Sequence, residues 1–140
     1  MSNLNKILLN KISCKSIWFM RQAGRYLPEF RKIRSENKDF IKLCLNPDLV
    51  REITLQPIKR FKLDAAIIFS DILTIPDALG LGVSFVEGKG PIFSNPIRRP
   101  EDISNIADFN PESLDYVYMT AELTRKELDR SIPLIGFCGS

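Results

Sequence analysis

The chain has 140 residues, 44% hydrophobic and 26% charged, which is the size and balance of about one ordinary soluble domain. That composition excludes a collagen, a low-complexity linker and a disordered tail, and no apolar run approaches the roughly 20 residues of a membrane span. The formal net charge of +3 conceals a split: residues 1–62 hold 14 Lys/Arg against 5 Asp/Glu, and residues 63–140 hold 6 against 12.

Ile7-Leu8-Leu9 is broken by Asn10 and Lys11, too short for the core of a secretory signal. Ser16 to Met20 is a short apolar run beside a basic loop and predicts a buried strand. Gly24 and Pro28 punctuate the loop that follows. Asp39 to Leu45 reads as a short helix. Asn46-Pro47-Asp48 carries helix-start chemistry: Asn as N-cap, Pro at the first position and an acid in the first turn. Leu49, Val50, Ile53, Ile58 and Phe61 give that helix an apolar face, and Pro57 is expected to kink it or cut it short.

Ala65 to Phe69 is a second apolar run, whose two faces both need cover, as in a parallel sheet dressed with helices. Ser70 and Asp71 follow directly. Val83 to Phe93, with Gly88-Lys89-Gly90-Pro91 in its middle, predicts a hairpin. Asn110-Pro111-Glu112 repeats the helix start. Leu114, Val117, Tyr118, Ala121 and Leu128 then share one side, and Glu122 and Lys126 are spaced as a favourable pair. Pro133 to Phe137 is a third apolar run. The order strand, helix, strand, hairpin, helix, strand predicts a parallel α/β sheet. Because a third buried strand with nothing after it leaves an open edge, residues 1–140 are expected to be the N-terminal portion of a larger domain.

The sequence holds no histidine and three cysteines (Cys14, Cys44, Cys138). Ser-His-Asp catalysis and His metal ligation therefore cannot operate from these residues. Without a CxxC pair the cysteines give neither a disulfide framework nor a zinc site, and a reducing cytoplasm is the expected setting. Gly80-Leu-Gly82 and Gly88-Lys89-Gly90 lack the rest of a nucleotide-binding loop and read as turns. The densest cationic stretch is Arg21, Arg25, Arg31, Lys32 and Arg34. It reads either as a solvated face or as a grip on an anionic partner.

In parallel α/β folds chemistry gathers beyond the carboxyl ends of strands. Arg21 to Arg25 follow the first run, Asp71 the second, and Cys138 to Ser140 the third. Asp71 is then either a rim carboxylate or the cap of a helix or turn paired with one arginine.

The run Ile17-Trp-Phe-Met-Arg-Gln-Ala-Gly-Arg-Tyr-Leu-Pro-Glu-Phe-Arg31 closely resembles the N-terminal motif of the uroporphyrinogen decarboxylase family. Leu63 to Ile72, Val86 to Pro91, Thr54 to Pro57 and Pro133 to Phe137 are similar to further segments of that family. The resemblance implies that residues 1–140 are the N-terminal portion of one (β/α)8 TIM barrel, incomplete in this chain, with a homodimer as the complete form. It implies a cytoplasmic carboxy-lyase of haem and tetrapyrrole biosynthesis. Such an enzyme removes four acetate carboxyls from uroporphyrinogen III to give coproporphyrinogen III, with neither metal nor organic cofactor.

By the same resemblance Arg21, Gln22, Ala23, Gly24 and Arg25 form a substrate-contacting loop. Asp71 faces the pyrrole nitrogens, and Arg34 matches a basic position near the cleft. Those residue types suit a substrate with eight carboxylates around four pyrrole N–H donors. An arginine fork holds both oxygens of a carboxylate, and an ionised Asp71 stabilises the cationic ring formed when a pyrrole carbon takes a proton. Arg21 is a candidate proton donor, although arginine is a very weak acid; a substrate carboxyl or a water relay is the alternative. The family's further contacts, a tyrosine, a serine or threonine and a histidine, come from later in its chains, so residues 1–140 are expected to hold half a site and not to catalyse alone.

Two other readings are open. A related cobalamin-linked methyltransferase of the same superfamily shares the barrel but generally lacks the double-arginine loop. A basic nucleic-acid-binding module needs exposed aromatics on a basic face, whereas Trp18 and Phe19 read as strand core. Neither nucleic acid nor membrane is expected as a partner.

Overall fold

The structure, a computed structural model, describes residues 3–13, 15, 17, 19, 21–69, 72–86, 88–108 and 110–136. Of the residues singled out above, Cys14, Ser16, Trp18, Met20, Ser70, Asp71 and Phe137 to Ser140 lie outside that set. The elements run α1 (Asn3–Leu8), α2 (Pro28–Glu36), α3 (Phe40–Cys44), α4 (Pro47–Phe61), β1 (Ala66–Ile67), α5 (Thr74–Ala78), β2 (Val83–Val86) and β3 (Gly90–Phe93). Two 3-10 turns (Pro100–Asn105 and Pro111–Leu114), α6 (Asp115–Glu127) and β4 (Leu134–Ile135) follow. This is a mixed α/β arrangement. No described helix is long and apolar enough to cross a membrane.

β1 and β4 pair in parallel, Ala66 opposite Leu134 and Ile67 opposite Ile135. The Ala66 N–H donates to Pro133 O and the Ile68 N–H to Ile135 O, both at 2.9 Å. The predicted pair of apolar runs is therefore joined as expected, with α6 in the connection between them. β2 and β3 form the predicted antiparallel hairpin, Val83 opposite Phe93 and Val86 opposite Gly90. Gly88 and Gly90 take the left-handed backbone (φ +77° and +81°) that the tight reversal requires. Gly80 (φ +81°) closes α5: its N–H donates to Asp77 O and the next N–H, of Leu81, to Pro76 O. The turn reading of both glycine pairs holds.

α4 is the hub. The Asn46 side chain accepts from the N–H groups of Asp48 and Leu49, both at 3.1 Å, and Pro47 occupies the first turn where no partner is lost. One core gathers Leu27, Phe30 and Ile33 of the α2 region with Leu43, Cys44 and Ile53, with Phe40 and Phe69 packed against it. A second gathers Leu55, Ala66 and Leu128, flanked by Ile58, Ile132 and Leu134, and so seals α4 and α6 over the β1–β4 pair. Ala66 and Ile68 are buried, whereas Ala65, Ile67 and Phe69 are half-buried. The cover of β1 is thus complete on one face only.

Several expectations need correction. Ile17 and Phe19 lie in no strand and are 79% and 57% exposed. The free edge of β1, where a ladder partner would bond, is taken instead by side chains described below. Pro57 is buried inside α4 and does not end it; the helix runs on to Phe61. Packing of α4 against α2, α6 and β1 offsets the one lost helical hydrogen bond. α6 buries Thr120 and Thr124 rather than Tyr118, which is exposed, because small side chains let α4 and α6 approach. The sequence pattern predicts none of α1, α2 and α5.

Arg51 and Lys59 of α4 both reach Glu127 of α6, at 3.6 and 3.0 Å. The Lys59 hydrogen bond in particular holds the Glu127 carboxyl below its ordinary 4.5. A carboxylate with a lowered folded pKa adds stability above its unfolded value and loses it as pH falls through the folded one. The difference in urea midpoint between the unsubstituted chain and Glu127→Gln is expected to be present at pH 7 and to vanish as pH drops below 4.5. Thr54 is buried; its Oγ donates to Val50 O (2.8 Å) and accepts from the Phe69 N–H (2.9 Å). Thr54→Val leaves that N–H without its partner and is expected to cost about 1–3 kcal/mol by urea denaturation.

Candidate functional site

Residues 21–27 form a short loop between the residues before it and α2. Its centre is anchored on the sheet. Gln22 is buried, and its Nε2 donates to Ala65 O (2.9 Å) while its Oε1 accepts from the Ile67 N–H (2.7 Å). Those two groups face away from β4, so one side-chain amide closes the free edge of β1. Ala23 packs against the core of Leu27, Phe30 and Ile33, and Leu27 donates its N–H to Gly24 O at 3.0 Å to close the turn. A Cβ on Gly24 would meet only the Tyr26 ring, at 3.8 Å.

Side chains hold three more of the loop's carbonyls, those of Gln22, Arg25 and Tyr26. The Tyr26 hydroxyl donates to Gln22 O, and its ring stacks on Phe61 of α4 at 6.3 Å. Burial pushes the Tyr26 phenol up from its usual 10.0, against a smaller opposing pull from Arg60. Arg31 of α2 donates from Nη1 to Arg25 O (2.8 Å) and Tyr26 O (3.2 Å).

What this framework presents is Arg21 and Arg25. Both are exposed, and among the described residues neither guanidinium has a hydrogen-bond or ion-pair partner. The other members of the basic stretch are sorted differently. Arg34 donates to Asn37 O and to Lys38 O (3.2 Å) and sits over the Phe40 ring, 5.2 Å from its centroid. It therefore locks the end of α2. Gln22, read as a substrate contact, has both polar atoms of its side chain committed to β1. Nothing in the sequence pattern distinguished these two from their neighbours. Asp71 lies outside the described residues; the described residues that follow β1 end at Phe69, whose ring is met edge-on by Phe30 (5.7 Å) and Phe40 (6.3 Å).

A family model described as uroporphyrinogen decarboxylase (URO-D) matches residues 6–140. The chain belongs to the uroporphyrinogen decarboxylase family. Its relatives include the uroporphyrinogen decarboxylase of Legionella pneumophila (strain Corby), 58% identical over 125 residues, which are 89% of this chain and 36% of the relative. Those of Nitrosococcus oceani and Vibrio vulnificus (strain YJ016) are 54% and 52% identical over 138 residues, 98% of this chain and 39% of each relative. The chain thus spans under two fifths of the length of these curated relatives. Of the two related barrels weighed above, the match selects the decarboxylase family.

One other concavity, of about 380 Å³, is lined by Glu29, Glu52, Gln56, Lys59 and Arg60. Glu29 pairs with Arg60 and Lys59 with Glu127, and none of the nominated site residues lines it. The loop's anchorage is open to test. Gln22→Leu keeps the bulk and removes both bonds to β1. Exchange of the Ile67 amide is expected to speed up about tenfold or more, as read by hydrogen–deuterium exchange, with amides in α6 unchanged.

Proposed function

We propose that this chain is the N-terminal part of a (β/α)8 barrel enzyme that converts uroporphyrinogen III to coproporphyrinogen III by four decarboxylations. The observation that carries the reading is the pair of exposed guanidiniums, Arg21 and Arg25, without a partner among the described residues, on a loop braced against β1 in a member of the uroporphyrinogen decarboxylase family. Each arginine offers a planar fork that matches a carboxylate and keeps its charge at any working pH. A macrocycle with eight carboxylates is therefore recognised at its rim.

Loss of CO2 from an acetate side chain leaves an electron pair on the methylene carbon. That pair needs a sink. Protonation at a pyrrole carbon makes the ring cationic, so the electrons of the breaking C–C bond flow into it. The methylene carbon then takes a proton to become methyl, and the ring carbon returns the one it gained. Asp71 is assigned to the pyrrole N–H groups, where a carboxylate stabilises the cationic ring as it forms. Ala23 and Gly24 line the loop and Arg34 supports its surroundings. The complete enzyme is a cytoplasmic homodimer in this reading, and no cofactor takes part.

The test joins residues 1–140 to the remaining length of the Legionella pneumophila relative and follows coproporphyrinogen formation. The chimera is expected to turn over. Asp71→Asn is expected to lower kcat at least about tenfold, and by as much as the roughly 10²–10³-fold (~2.7–4 kcal/mol) that one electrostatic stabiliser commonly supplies. Arg21→Lys is expected to raise KM for the octacarboxylate substrate, since a point charge cannot reproduce the fork. A chimera that melts cooperatively yet makes no product, or an Asp71→Asn variant with near-normal turnover, would sink the assignment.

A further inference from the structure

The arginine stretch divides into groups that face outward and groups that hold the backbone, and the second set includes residues not yet given a part in binding. Arg31 does not face Glu29, its nearest carboxylate in α2, because residues two apart on a helix point to different sides. Glu29 instead pairs with Arg60 of α4, and the Arg31 guanidinium reaches back to the carbonyls of Arg25 and Tyr26. Tyr26 in turn donates to the carbonyl of Gln22, one residue after Arg21. The two side chains thus bond the backbone at Gln22, next to one free arginine, and at Arg25, the other. Neither residue belongs to the core, and both are exposed overall; the Arg31 bonds are exposed and only the Tyr26 hydroxyl is partly buried, so they add modestly to overall stability. Their evident effect is local, on the direction in which residues 21–25 leave the sheet.

We propose that Tyr26 and Arg31 are positioning residues for anion binding, holding the loop carbonyls so that the Arg21 and Arg25 guanidiniums are presented together to a polycarboxylate. This deepens the functional reading above and rests on it. Preorganisation of this kind lowers the ordering cost that binding would otherwise carry. Its signature is a loss of anion affinity without loss of the folded state.

The test uses the chimera of residues 1–140 with the remaining length of the Legionella pneumophila relative, and uroporphyrin III, the oxidised octacarboxylate macrocycle, with binding read by porphyrin fluorescence at low ionic strength. Tyr26→Phe is the cleanest variant. It keeps the ring that stacks on Phe61, changes no charge and removes only the hydroxyl. Its dissociation constant is expected to rise about fivefold, with the urea midpoint little changed. Arg31→Gln is expected to weaken binding more, and Arg31→Lys, which keeps the charge and a donor, to recover part of the loss.

The two ways of failing are separable. If Arg21→Gln and Arg25→Gln weaken binding but Tyr26→Phe and Arg31→Gln bind like the unsubstituted chimera, the positioning role is wrong and the functional reading stands. A Tyr26→Phe variant that lowers the urea midpoint and leaves affinity untouched has the same meaning. If uroporphyrin III is not bound, or is bound equally well without Arg21 and Arg25, the functional reading fails and the positioning role fails with it. Should Arg31→Gln not fold, Tyr26→Phe alone decides the question.

Discussion

A primary amide carries one donor and one acceptor side by side, in nearly the arrangement of a peptide group. Gln22 uses that likeness. Its side chain bonds Ala65 O and Ile67 N–H as a neighbouring strand would, over a single step of the ladder. Two problems are solved at once. The free edge of β1 is satisfied where it is too buried for water to serve well, and the loop before α2 is moored to the sheet. Without that bond the loop would lose its mooring to β1 and be held only by Ala23 and Leu27 at the core and by the Tyr26 and Arg31 side chains.

The helix behind the sheet completes the same edge. Thr54 of α4 takes the Phe69 N–H, so backbone groups at residues 65, 67 and 69 all find side-chain partners. Phe69 then sits in a box of Phe30 and Phe40. The end of the strand that leads toward Asp71 is therefore held by α2, α3 and α4 together. Here packing decides what local preference could not: α4 passes through Pro57, whose lost hydrogen bond costs less than the contacts the helix makes on three sides.

Much of this was legible in the residues. Asn46-Pro47 and Asn110-Pro111 announce their helix starts because capping is local chemistry. The hairpin is readable because glycines at 88 and 90 can take a backbone that other residues resist. The apolar runs at 65–69 and 133–137 are readable as strands of a parallel sheet because each is continuously apolar and needs cover on both faces. α2 was missed because Gly24 and Pro28 read as loop punctuation, although Pro28 is a first-turn proline and Phe30 and Ile33 share a face. The roles within the basic stretch were not legible. Arg21, Arg25, Arg31 and Arg34 are one residue type within fourteen positions, and only the fold tells a guanidinium aimed at a carbonyl from one left open. The same holds for Gln22, whose partners are more than forty positions away.

That sorting bears on the electric field at the loop. An arginine that pairs with a carboxylate loses most of its reach, since the two charges cancel within a few ångströms. An arginine bonded to carbonyls keeps its full charge. Arg31 and Arg34 are of the second kind, while the nearby acids Glu29 and Asp39 are partnered with Arg60 and Lys42. Structural duty has therefore been given to cations without quenching them. At physiological salt their field extends about 8 Å, enough to reinforce Arg21 and Arg25 at the surface. Glutamine, serine or backbone donors in place of Arg31 and Arg34 could have satisfied the same carbonyls. They would have left the two free guanidiniums to attract a polyanion unaided.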